Sequence, residues 1–144
     1  MKYRFMIVMD TPYTLIEEIK VNSDLGQLSV VEDLIDRICN NVNIVNEYGN
    51  VLIAVTEAFN NAVLHGNKNI QNAQVYIKVL DGDHNFVFQL DDEGKGFDYT
   101  NLPDPTQPEN LEKENGRGIF LMKSLAEEVS FDNNGARVKI LFNK

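Results

Sequence analysis

The sequence predicts an α+β fold, a two-layer α/β sandwich in which a mixed sheet is covered on one face by helices. Two stretches carry apolar residues at helical spacing, one from Leu28 to Ile38 and one from Asn46 to Asn67. Two further stretches alternate apolar and polar residues on either side of a glycine-bearing turn, as antiparallel hairpins do.

The elements follow in order. Tyr3 to Met9 is apolar and β-favouring and is broken by Asp10-Thr11-Pro12. Leu15, Ile16, Ile19 and Val21, interspersed with Glu17, Glu18 and Lys20, give a second strand that could pair with the first. Cap-type residues at Asn22-Ser23-Asp24 lead into a helix carrying Leu28, Val31, Leu34, Ile35 and Ile38 and ending near Asn40-Asn41. A short connection precedes the helix of Asn46 to Asn67. Val75, Ile77 and Val79, the turn Asp81-Gly82-Asp83, and Phe86, Phe88 and Leu90 make the first hairpin. Its second strand runs into Asp91-Asp92-Glu93-Gly94-Lys95-Gly96. Residues 97–115 carry Pro103, Pro105 and Pro108, which exclude a regular helix or central strand and suggest a lid. Gly116-Arg117-Gly118 opens a helix with Ile119, Phe120, Met122 and Leu125. Val129 to Phe131 and Val138 to Phe142 close the chain as a hairpin around Asn133-Asn134-Gly135.

Composition narrows the function. The 144 residues suit a single domain, 1–144, with its own core. The sequence has no apolar run of membrane-spanning length, and Phe5 to Met9 is too short for a signal-peptide core, so a cytoplasmic protein is expected. Cys39 is the single cysteine, which excludes a disulfide framework or a cysteine metal cluster. A net charge of −9 without a Lys/Arg stripe disfavours contact with nucleic acid. An anionic nucleotide would need local help from backbone N–H groups, a helix N-terminus and a metal ion.

On the helix of Asn46 to Asn67, Val51, Leu52, Val55, Ala58, Phe59, Ala62 and Val63 share one arc, and Glu57, Asn61 and His65 share another. The first arc is core. The second is either the solvated face or a site: Glu57 and Asn61 lie one turn apart, a carboxylate can take a proton, and an amide oxygen can ligate Mg²⁺ without adding charge. Asp92 ahead of Gly94 and Gly96 could accept a hydrogen bond from an adenine amine while the glycines let backbone approach a flat ligand; the same residues also make a good turn. Gly116, Arg117 and Gly118 could present helix N–H groups to phosphate or serve simple steric needs. The Walker phosphate loop and the dinucleotide fingerprint are both absent.

Taken together, TEAFNNAVLHGN, DEGKG, the proline-bearing segment and GRGIFLM come in the order seen in the histidine-kinase-like (GHKL) ATPase superfamily. Within it the chain resembles the anti-sigma-factor serine kinases over roughly Leu15 to Phe142. The resemblance implies a Bergerat-type fold, ATP and Mg²⁺ as ligands, and an ATP lid at 97–115. It implies that Asn61 coordinates Mg²⁺, that Glu57 activates the attacking hydroxyl, and that Asp92 binds adenine in a pocket shaped by Gly94 and Gly96. Gly116 and Gly118, with Arg117 between them, resemble the second glycine box at the lid hinge near the phosphates. Two departures stand out. Gly135-Ala136-Arg137 replaces the family's Gly-Thr, and Met1 to Pro12 add a strand that could extend the sheet or build a dimer interface.

The function the resemblance implies is a partner switch. A homodimer binds a sigma factor and phosphorylates a serine or threonine of an anti-anti-sigma antagonist protein. A nucleotide-gated binding module without phosphotransfer is the alternative, and Glu57 argues against it because a pure binder needs no base there. A histidine-kinase catalytic domain fits poorly, since no helical hairpin with a phospho-acceptor histidine precedes the domain.

Overall fold

The computed structural model describes residues 13–42, 44, 47–100 and 114–144, with side chains from residue 116 in the last stretch. The predicted strand at Tyr3 to Met9 and most of the proposed lid, 101–113 with its three prolines, lie outside the described residues.

Strand β1 (Thr14–Asn22) leads through a short 3₁₀ turn into helix α1 (Leu28–Asn41), and helix α2 (Tyr48–Asn61) follows. Strands β2 (Gln74–Asp81) and β3 (Asn85–Asp91) form the first hairpin. Helix α3 (Glu114–Leu125) precedes the closing hairpin of β4 (Glu128–Asp132) and β5 (Arg137–Asn143). The strand order is β1-β2-β3-β5-β4. Every pairing among these strands is antiparallel, so the mixed character expected of the sheet does not extend to the described strands.

One face of the sheet is the core floor. Val75, Ile77 and Val79 on β2, Phe86, Phe88 and Leu90 on β3, and Val138, Ile140 and Phe142 on β5 project to it at the alternation of a pleated strand. Phe86 stacks on Phe142 at 5.4 Å between centroids, and both meet Phe88 edge-on. Against this floor α1 buries Val31, Leu34, Ile35 and Ile38, and α2 buries Val51, Ala54, Val55, Ala58 and Phe59. Each such Val, Leu, Ile or Phe side chain contributes about 1.5–3 kcal/mol of burial. Cys39 lies in the same layer, where burial pushes its thiol up to about 11. A smaller cluster on the opposite sheet face joins Val87 and Leu141 to Tyr13 and Leu80.

Two boundaries differ from the sequence reading. The regular part of α2 stops at Asn61, and Ala62–Gly66 continues as a single π-turn closed by the Asn67 N–H on the Ala62 carbonyl at 2.7 Å. Helix α3 begins at Glu114, so Gly116, Arg117 and Gly118 lie inside its first turns rather than opening it.

Candidate functional site

The end of α2 and the loop after β3 interlock. Gly66 packs against Asp92 so closely that a Cβ on it would stand 2.2 Å from Asp92 Oδ2, and a Cβ on Gly94 would stand 2.0 Å from the Gly66 carbonyl oxygen. The two glycines exist because the Asp92 carboxylate at Gly66 and the Gly66 backbone at Gly94 occupy the space a side chain would need. Asp92 folds back on its own loop, accepting the Gly94 N–H on Oδ1 at 2.8 Å, as short carboxylates do in turns. Its Oδ2 receives no hydrogen bond from the described residues, and Asp92 borders a pocket. The Asp92 carboxyl titrates above its ordinary range, chiefly because it is desolvated; the Gly94 N–H opposes the shift, and the charge of Asp91 adds to it.

The far side of the loop is laced to the last hairpin. Asp92 N–H donates to the Ala136 carbonyl at 3.0 Å and Phe97 N–H to the Asn134 carbonyl at 2.8 Å. Asn133, Asn134 and Gly135 all have positive φ (52°, 59° and 102°), a run that asparagine and glycine tolerate best. Gly96 is itself left-handed at φ 88°, and a Cβ there would meet the Asn134 carbonyl oxygen at 2.0 Å. Phe97, Tyr99 and Phe131 form a ring cluster with centroids 5.2–6.1 Å apart.

These elements enclose a mainly apolar pocket of about 590 Å³, its open mouth included. Leu90, Phe97, Ile119, Met122, Phe131 and Val138 give its apolar walls, and Asp92, Asn61 and His65 are among the polar residues at it. Gly96 and Ala136 also line it. A second, more polar pocket of about 640 Å³ shares Asn61 and His65 with the first and adds Glu57, Asn60, Leu64, Arg117, Gly118 and Leu121. There α3 comes down on α2: a Cβ on Gly118 would lie 2.9 Å from Glu57 Oε2 and 3.2 Å from Asn61 Nδ2. Glu57 and Asn61 thus stand together beneath the first turns of α3.

Asp92 and Gly96 therefore line the first pocket, Glu57, Arg117 and Gly118 the second, and Asn61 both. Gly94 and Gly116 line neither; Gly94 acts through its contact with Gly66, and Gly116 is buried in α3. His65, which the sequence places on the same helical arc as Glu57 and Asn61, sits at the junction of the two pockets. Gly66, Asn67 and Ala136 were not singled out as site residues. The available signal was a Gly-Asn pair closing the helix that bears Glu57 and Asn61. At the departure Gly135-Ala136-Arg137, Ala136 lines the pocket while Arg137 pairs with Asp91 at 2.5 Å.

Donor chemistry at the second pocket would suit a magnesium ion. Glu57 and Asn61 offer hard oxygens, Gly118 leaves the space a Cβ would fill, and no group of three or more His, Cys, Asp or Glu forms a self-sufficient cage among the described residues.

The histidine kinase-like ATPase domain family matches residues 21–142. The chain is 32% identical over 95 residues to the anti-sigma F factor of Bacillus licheniformis, covering 62% of this chain and 63% of that protein. It is 36% identical over 87 residues to the serine-protein kinase RsbW of Staphylococcus aureus strain JH9, covering 54% of each. These matches span between about half and about three-fifths of the relatives' lengths. Since the family match takes in every described element that lines the two pockets, the chain belongs to the histidine kinase-like ATPase domain family.

Proposed function

We propose that this domain binds ATP with Mg²⁺ and transfers the γ-phosphoryl group to a serine or threonine hydroxyl of an antagonist protein. The same domain holds a sigma factor in a partner switch. One observation carries this: Glu57 and Asn61 sit together against Gly118 in a polar pocket that adjoins an apolar one ending at Asp92. The names of the two relatives, an anti-sigma factor and a serine-protein kinase, support the same reading.

Adenine lies in the apolar pocket, its exocyclic amine donating to Asp92 Oδ2. A guanine would set its O6 acceptor against that carboxylate and be rejected. The triphosphate runs past Asn61 and His65 into the second pocket, where Arg117 adds positive charge. When bound, Mg²⁺ neutralises charge on the phosphates, held by the Asn61 amide oxygen. The acceptor hydroxyl oxygen forms a bond to the γ-phosphorus as the bond to the β-bridging oxygen breaks, and ADP leaves. Glu57 takes the hydroxyl proton. Transfer of this kind is mostly positioning and electrostatics, so a base, a metal ligand and an enclosed site suffice. A cytoplasmic homodimer completes the proposal, supported by kinship with the anti-sigma kinases alone.

The test uses γ-labelled ATP and Mg²⁺ with wild-type protein, Glu57→Ala and Asn61→Ala in a soluble extract of the source organism. Label on serine or threonine of a small protein with wild type alone supports the kinase. Absence of label while ATP still binds would replace it with a nucleotide-gated binding module.

A further inference from the structure

Asn67 is 4% exposed, one of few buried polar residues among those described, and it lines neither pocket. Its backbone N–H closes the π-turn on Ala62 at 2.7 Å, and its carbonyl accepts the Ile70 N–H at 3.0 Å. Its side chain bridges three segments. Nδ2 donates to Ser23 Oγ at 3.1 Å and to the Gln74 carbonyl at 3.0 Å, and Oδ1 accepts the Glu93 N–H at 2.7 Å. The Glu93 carboxylate returns to the sheet, accepting the Gln74 N–H at 2.6 Å. A buried amide with both ends satisfied is a rigid link, because breaking any one bond strands a desolvated partner.

What it links is the nucleotide pocket. Gly66 is its chain neighbour and forms the surface on which Asp92 and Gly94 rest, while Glu93, held by Oδ1, lies between those two residues. We propose that Asn67 is a positioning residue for the nucleotide base, clamping the Asp92–Gly94 loop to the exit of α2 and thereby setting the preference for adenine over guanine. This rests on the nucleotide-binding function proposed above. Through the clamp, Asp92 Oδ2 is held at a fixed height over the pocket. Released, the loop still folds as a turn through the Gly94 N–H on Asp92 Oδ1, but its offset from α2 is no longer fixed.

The experiment titrates wild type, Asn67→Ala and Asn67→Asp with MgATP, MgGTP and magnesium tripolyphosphate, the last occupying only the phosphate region. Asn67→Ala is expected to lose tenfold or more in ATP affinity and to shrink the ATP-to-GTP ratio by a similar factor. Tripolyphosphate affinity should stay within twofold. Asn67→Asp, which keeps the acceptor for Glu93 N–H, should recover part of the ratio. A folded Asn67→Ala with wild-type ATP affinity and ratio, or one losing ATP and tripolyphosphate equally, overturns the proposal. If Asn67→Ala does not fold, Ser23→Ala carries the test, with a smaller ATP-only loss in support and none against. Wild-type protein that binds neither ATP nor tripolyphosphate removes the nucleotide function itself, and this inference with it.

Discussion

Asp92 is the residue at which stability and function pull apart. Its carboxyl is desolvated on folding, and its pKa lies above that of the unfolded chain. The folded protein therefore holds the Asp92 proton more tightly than the unfolded chain does. At pH values above the raised folded pKa, the ionised group costs stability; the cost shrinks as pH falls through that value and vanishes below the unfolded pKa. Asp92→Asn should therefore raise the melting temperature of the nucleotide-free protein at pH 7, with a gain that fades as the pH is lowered through the carboxylate range. The same variant should bind ATP more weakly, because it presents an amide where an adenine amine needs an anionic acceptor. Wild-type ATP affinity should fall on acidification, starting at a pH above the ordinary Asp range. Thermal melts and ATP titrations across a pH series read both effects, and a nucleotide-free Asp92→Asn no more stable than wild type at pH 7 would contradict the desolvation argument.

At the level of elements, two glycines make opposite predictions because different things stand in their way. Gly94→Ala drives a methyl group into the Gly66 carbonyl, and backbone cannot step aside, so about 1–3 kcal/mol of stability should be lost. Gly118→Ala meets the free end of the Glu57 side chain, which can move, and alanine gains about 1 kcal/mol in helix propensity. Its melting temperature should hold or rise while phosphotransfer falls at least tenfold, as Glu57 is displaced. Melts beside phosphotransfer rates separate the two, and a Gly118→Ala protein with full activity would break the link between α3 packing and Glu57. The sequence made most elements legible because their periodicity was set by the core: Leu34, Ile35 and Ile38 on α1 and the alternation of Phe86, Phe88 and Leu90 on β3 admit one assignment each. The π-turn at Ala62–Gly66 was not legible. It ends at Gly66, whose contact with Asp92 is tertiary and has no periodic signature. The start of α3 was legible to within a turn: Gly116-Arg117-Gly118 was read as opening the helix, which begins at Glu114.

For the whole molecule, a five-stranded antiparallel sheet and three α-helices among the described residues bring the ends of α2, β3 and β5 and the first turns of α3 to one place. Glu57 and Asn61 could be paired from the sequence because a helical turn separates them. The meeting of both with Gly118, and of Asn61 with Asp92 in one pocket, could be expected only by resemblance, since sequence separations of about 30 to 60 residues carry no local rule. Asn67 escaped notice because an asparagine after a helix ordinarily signals no more than a stop. The function proposed for this assembly is to hold a magnesium-bound adenine nucleotide with Asn61 at the junction of base and phosphate. Calorimetric titration of ATP with and without Mg²⁺, on wild type and Asn61→Ala, tests it most directly. Mg²⁺ is expected to tighten ATP binding to wild type by at least tenfold and to leave Asn61→Ala nearly unchanged. ATP binding that ignores Mg²⁺ in wild type, or an equal response to Mg²⁺ in both proteins, would contradict it.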